Sequence, residues 1–223
     1  PAFLNQHLDE YVYWLEITNK KRFNRVVLQG VPVNAAEELQ EQVFSKIGRV
    51  VLTSATLTTH RGFEFIRERI GFKPKEQSIL DSPFDYPNQA ILYISGDLPE
   101  PSEEMEKYVS AMAKRCGELV EISQGRTFIL FTSYALMDQV YDRLKHLSSK
   151  LSLLRQGEIP IGQMIRRFKK TPGVIFGTNS FWQGVDIPGD ALKSVIITKL
   201  PFDVPSEPLT EARIEDLRRR SID

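Results

Sequence analysis

Four short apolar runs constrain this chain most: residues 127–132 (TFILFT), 151–154 (LSLL), 173–177 (GVIFG) and 194–198 (SVIIT). Each is apolar at nearly every position and too short for a helix core, which suits strands buried on both faces. The intervals carry helical periodicity. A helix opening at Ser102, with Glu103 and Glu104 in its first turn, puts Met105, Tyr108, Val109, Met112, Cys116, Leu119 and Val120 on one face. Acidic residues there complement the helix dipole, and spacings of three and four make a single apolar stripe. Further helices are predicted at 134–148, 161–170 and 207–220. Strands alternating with amphipathic helices predict an α/β fold: a mainly parallel sheet with helices on both faces.

The first third reads differently. Residues 10–18 (EYVYWLEIT) and 24–29 (NRVVLQ) are aromatic and β-branched around a polar stretch at 19–22, the pattern of a hairpin. A helix is predicted over 35–46, ended by Gly48, and a short strand over 49–52. A second short helix ends near Gly71, and Pro83 and Pro87 hold the following chain extended before another predicted strand at 90–94.

Composition then limits the partners. The 29 Lys and Arg cancel the 29 Asp and Glu, so any hold on an anion comes from local groups and not from the field of the whole chain. A single cysteine, Cys116, cannot build a disulfide or a cysteine-ligated metal centre within the chain, and its place on the apolar stripe marks it as core. His7, His60 and His146 show no ligand spacing, so no metal ligands are expected. No apolar run approaches membrane-span length, the sequence shows no signal-peptide pattern, and it opens at Pro1 without an initiator Met, so a cytoplasmic segment of a longer protein is expected, with no membrane partner.

In parallel sheets, ligands sit beyond the carboxyl ends of the strands, which directs attention to the loops after Leu52, Phe131 and Phe176. The first, Thr53-Ser54-Ala55-Thr56-Leu57, places three hydroxyls in four residues, able to bond phosphate oxygens or to cap a turn. The second, Thr132-Ser133-Tyr134, falls where a helix begins, so free backbone amides join two hydroxyls and an aromatic face. Ordinary Ser capping would use the same residues. The third runs Gly177-Thr178-Asn179-Ser180-Phe181-Trp182-Gln183-Gly184-Val185-Asp186-Ile187-Pro188-Gly189. Its glycines permit close backbone approach, and Asp186 can accept from a ribose hydroxyl or cap a turn, while Phe181 and Trp182 could equally be core.

These loops, in this order, resemble the second RecA-like domain of the DinG and XPD-like group of superfamily two helicases. The residues that carry the resemblance are the TSATL run at 53–57, Ser82-Pro83-Phe84, the LFTSY run at 130–134, the FWQGVDIPG run at 181–189 and Lys199-Leu200-Pro201-Phe202. Gln183 stands where the group commonly has Glu. The resemblance implies residues 1–75 as the tail of a first RecA-like domain and 76–223 as a second one, cut before its final arginine motif. It implies an ATP-dependent motor on single-stranded DNA. Thr53, Ser54, Thr56, Gly184 and Asp186 would face or couple to the ATP cleft. Thr132, Ser133, Tyr134, Thr178, Asn179 and Ser180 would hold the strand. ATP and Mg²⁺ would be used by the parent protein, with ATP shared with the first RecA-like domain.

The chain carries neither end of that chemistry. Gly157 and Gly162 imitate P-loop spacing but are followed by Gln163 and Met164 in place of Lys and a hydroxyl. Asp9-Glu10 follows polar residues and not a buried strand, and Arg218, Arg219 and Arg220 read as a solvated charge run, as do Arg166, Arg167, Lys169 and Lys170. The chain alone is therefore expected to be inactive as an ATPase. The competing expectation is a non-catalytic RecA-like module that binds nucleic acid or a partner protein. A free-standing small-nucleotide enzyme is disfavoured because no complete acid-base or nucleophilic set is present.

Overall fold

Successive residues of residues 127–130 point to opposite sides of a sheet: Ile129 packs into one buried cluster and Phe128 and Leu130 into another. The computed structural model describes residues 10–20, 23–60, 62–100 and 104–220. These divide into two compact units, Pro1–Phe84 with Asp203–Asp223, and Asp85–Phe202.

In the first unit, β1 (Tyr11–Lys20) and β2 (Phe23–Pro32) pair antiparallel in continuous register from Tyr11 opposite Pro32 to Lys20 opposite Phe23. The hairpin read from the sequence is present; Lys21 and Arg22 of its turn lie outside the described residues. Leu15, Ile17, Val26 and Leu28 share one face and are all more than half exposed. The helix expected over 35–46 is shorter and changes pitch: α1 (Ala36–Leu39) runs into a π-helical turn over Gln40–Phe44. Tyr11 Oη donates to Glu38 Oε1 at 2.8 Å, joining α1 to the hairpin. Helix α2 (Glu64–Ile70) ends on Gly71 in the left-handed conformation at φ 68°, where a Cβ would run into the Ala36 carbonyl oxygen. No side chain fits there.

The strand expected at 49–52 is absent. These residues are irregular, with Val51 88% and Leu52 38% exposed, because no described strand lies beside them to complete a ladder.

The second unit opens with α3 (Tyr86–Gln89). The strand expected at 90–94 is likewise absent: Ile91, Leu92 and Ile94 are exposed in an irregular segment. A β-branched run specifies a strand only when a neighbour supplies hydrogen bonds and a face to bury. Next comes α4 (Met105–Ile122), where Tyr108, Val109, Met112, Cys116 and Val120 of the expected stripe are buried and Leu119 is half-buried, whereas Met105, at the open first turn, is exposed; Ser102 and Glu103 lie outside the described residues. The chain continues through β3 (Thr127–Leu130), α5 (Tyr134–Leu144) with a 3₁₀ turn at Lys145–Ser149, β4 (Ser152–Arg155), α6 (Ile161–Lys170), β5 (Gly173–Gly177) and β6 (Ser194–Ile197). All four strands are parallel, in the order β4-β5-β3-β6.

This is the expected layered α/β sheet. One cluster joins α4 and α5 to Ile129, Phe131, Val174 and Phe176. The other joins Met164 and Phe168 of α6, with Phe181 and Ile187, to Phe128, Leu130 and Ile175. Each fully buried side chain of this size contributes about 1.5–3 kcal/mol of transfer free energy. The central strands β3 and β5 are therefore the most fixed part of the unit, and the loops leaving their carboxyl ends start from rigid points. Helix α7 (Pro208–Arg219) belongs to the first unit, where Arg213 Nε donates to the Val33 carbonyl at 3.3 Å.

Candidate nucleic-acid interface

Because β3, β4 and β5 are adjacent and parallel, the segments that follow them emerge side by side. Phe131 N donates to the Gly177 carbonyl at 2.8 Å and Gln156 N to the Phe176 carbonyl at 2.9 Å, extending the ladder one residue past the strands. Thr198 closes the far side, its N and Oγ1 both donating to the Leu130 carbonyl, at 3.1 and 2.9 Å. The loops after Phe131 and Phe176, separate in sequence, thus meet at one edge.

At that edge Ser133 caps α5, its hydroxyl accepting from Leu136 N at 3.3 Å. Thr132 before it is half-buried, and Tyr134, the first helical residue, is 54% exposed. From β5, Asn179 and Ser180 lie exposed in a 3₁₀ turn spanning Asn179–Phe181. Thr178 differs from them. It is 4% exposed, and its hydroxyl donates inward to Gln156 Oε1 at 3.1 Å. Five of the six strand-holding candidates therefore line the open edge, and the sixth is turned into it.

The aromatic pair divides in the same way. Phe181 is buried and crosses Phe128 edge to face at 5.9 Å, whereas Trp182 is half-buried and donates from Nε1 to the Phe131 carbonyl at 3.3 Å. Phe181 and Ile187 anchor the two ends of the 181–187 stretch in the core. Gly184 and Asp186 are exposed between them, with Gly184 at φ 74°, which favours glycine. In the first unit, Ser54 Oγ lies 3.2 Å from Thr56 Oγ1 and accepts from Thr56 N at 3.2 Å. Thr53, Ser54 and Thr56 are exposed in a hydroxyl-closed turn that follows an irregular segment.

Gln156 escaped the sequence reading. It is 9% exposed, accepts from Thr178 N at 2.7 Å, and donates from Nε2 to Tyr134 Oη at 2.9 Å. The signal was an amide just past the apolar LSLL run, between Arg155 and Gly157, at the end of the edge strand β4, whose loop was not among those singled out.

The P-loop imitation does not fit a nucleotide or Mg²⁺. Met164, where a P-loop has its metal-binding hydroxyl, is fully buried in the core beside Phe168. The described residues contain no group of three or more His, Cys, Asp or Glu able to hold a metal ion. Cys116 is 2% exposed, and burial pushes its thiol up to about 12, the property of a core residue and not a nucleophile.

A four-stranded parallel sheet with helices on both faces and a polar carboxyl edge is consistent with an α/β, RecA-like helicase C-terminal domain. Residues 116–223 match the family model described as the helicase C-terminal domain. The chain is DinG-like. It is 38% identical over 209 residues to the ATP-dependent DNA helicase YoaA of Haemophilus influenzae, covering 93% of this chain and 32% of that protein. It is 35% identical over 228 residues to the 3'-5' exonuclease DinG of Bacillus subtilis, covering 95% and 24%. To the ATP-dependent DNA helicase DinG of Photobacterium profundum it is 34% identical over 212 residues, covering 91% and 30%. The chain spans a third or less of the length of these curated relatives. Among the described residues no helix is long and apolar enough to cross a membrane.

Proposed function

We propose that this chain works as the strand-gripping lobe of an ATP-dependent DNA helicase that couples ATP hydrolysis to translocation along single-stranded DNA and to duplex unwinding. Residues 1–75 act as the tail of a first RecA-like domain and 76–223 as the second. The observation that carries the reading is the shared polar edge of β3 and β5, which collects Thr132, Ser133, Tyr134, Asn179 and Ser180 beside an α-helix start. Hydroxyls, an amide and an aromatic face grip a backbone without reading bases, which is what movement along arbitrary sequence needs. Thr178 supports that edge from beneath through Gln156.

Gly184 and Asp186 face the ATP cleft, and Thr53, Ser54 and Thr56 couple nucleotide state to domain movement. ATP is shared with a first RecA-like domain that supplies the phosphate cradle and Mg²⁺ site. The setting is cytoplasmic. The chain alone does not turn over ATP, because Met164 occupies the place of the P-loop hydroxyl and no Lys precedes it.

Two measurements on the purified chain test this. A labelled oligothymidylate should bind weakly, with affinity falling only modestly as salt rises, because neutral hydroxyl, amide and phenol groups release few counterions. A steep salt dependence contradicts a grip by neutral groups, and DNA-stimulated ATP turnover by the chain contradicts its dependence on another domain.

A further inference from the structure

We infer that Gln156 is a positioning residue that fixes the Tyr134 hydroxyl as an outward hydrogen-bond donor to an anionic oxygen at the strand ends. The inference rests on the strand-gripping reading above and assigns its polarity to a residue outside the exposed edge.

The argument starts from a backbone amide, which can only donate. Thr178 N lies 2.7 Å from the Gln156 side chain, so the atom facing it is the carbonyl oxygen Oε1, and the orientation of the amide group is settled. The Thr178 hydroxyl, 3.1 Å away, donates to the same oxygen. With Oε1 committed twice, Nε2 alone is left to meet Tyr134 Oη, at 2.9 Å. An amide nitrogen cannot accept, so Tyr134 must. A phenol that accepts from inside keeps its single proton for another partner. Tyr134 is 54% exposed at the first position of α5, and among the described residues no acceptor meets that proton. The ligand that completes the set is an acceptor with no proton of its own, which describes a phosphodiester oxygen.

Burial makes the relay directional. Gln156 is 9% and Thr178 4% exposed, so water is kept from competing for the three inner bonds, and reversing any of them would leave a buried donor unmet. Three residues from three adjacent strand ends are thereby locked in one polarity: Tyr134 beyond β3, Gln156 beyond β4 and Thr178 beyond β5.

Gln156→Glu tests the polarity while sparing the fold, because a carboxylate still accepts from both Thr178 donors but would draw the Tyr134 proton inward. A labelled oligothymidylate is titrated at one low salt concentration into the full chain, Q156E, Y134F and the double variant. Y134F should weaken binding by about 10–100-fold, the worth of one hydrogen bond to a charged acceptor. Q156E should weaken it at least as much in the parent. In the Y134F background the Q156E factor should shrink to its bare charge effect, so the double variant binds more tightly than the product of the two single losses predicts. Multiplicative losses overturn the relay, as does a Y134F that binds like the parent.

A second readout needs no variant and no DNA. Thr178 N should exchange its proton slowly for a residue beyond a strand end, and an unprotected Thr178 amide overturns the clamp. An unaltered chain that binds no oligonucleotide overturns the strand grip itself and the ligand assigned here, and the Thr178 amide then decides the Gln156 clamp separately.

Discussion

Trp182 Nε1 donates to the carbonyl oxygen of Phe131 at 3.3 Å, tying the loop beyond β5 to the last residue before the loop beyond β3. The Phe131 amide donates to the Gly177 carbonyl, so both backbone polar groups of Phe131 are held by β5 and the loop beyond it. The indole is half-buried and its ring packs against the Phe181 and Ile187 cluster. Trp182→Phe keeps most of the ring and deletes the donor. We expect a loss of about 1 kcal/mol in urea denaturation, the ordinary net worth of one such bond. A change below a few tenths of that would show that the contact is not maintained in solution.

Gly177 is the last residue of β5, and a Cβ there would sit 2.6 Å from the Phe181 ring. Phe181 is buried and cannot swing away without opening the core under Phe128. Gly177→Ala should therefore cost about 1–3 kcal/mol, the range of overpacking, and should broaden the amide signals of residues 178–182. A chain as stable as the parent would mean that the ring has another place to go.

Cys116 supplies a pH dependence. Burial raises its thiol from the ordinary 9 to about 12, and burial also raises the Tyr108 phenol. Both groups hold their protons longer when folded than unfolded, so this contribution is complete below the unfolded pKa and is lost as pH rises through the folded one. The urea midpoint should fall between about pH 9 and about pH 12, and fall less in Cys116→Ala. An equal slope in the two chains would exclude the thiol as a source.

Asn179 and Ser180 are exposed side by side at the gripping edge. Single alanine substitutions should leave the thermal midpoint nearly unchanged, as surface changes do, while weakening oligothymidylate binding by a few-fold. Parent-like affinity in both variants would move the strand elsewhere.

Ile91 is 96% and Leu92 87% exposed, so nothing in the described structure depends on their burial. Ile91→Lys or Leu92→Lys should change stability by less than about 0.5 kcal/mol. A large loss in either would show that the segment packs in solution as the sequence pattern suggested.

Much of this was legible beforehand. Strands β3 to β6 were each located within a residue or two, because a run such as GVIFG, apolar at every position, has few uses other than a doubly covered strand. The apolar stripe of α4 needed only helical spacing, and the burial of Cys116 followed from it. The runs at 49–52 and 90–94 have the same composition as real strands, yet neither is one. Pairing is a property of a neighbour, and nothing within RVVL or AILYI states whether one is present.

The sequence by itself determined the class of this protein: alternating apolar runs and amphipathic helices impose a layered sheet, and the polar segments must then fall at its ends. Tertiary structure alone decided what each polar group there does. Thr178, Asn179 and Ser180 are three small polar residues in a row, but only Thr178 is folded under the edge, and only because Gln156, 22 residues earlier, arrives from the neighbouring strand to receive its amide and hydroxyl. Spacing along the chain governs periodicity, whereas a hydrogen-bond partner across a parallel sheet is chosen by strand order.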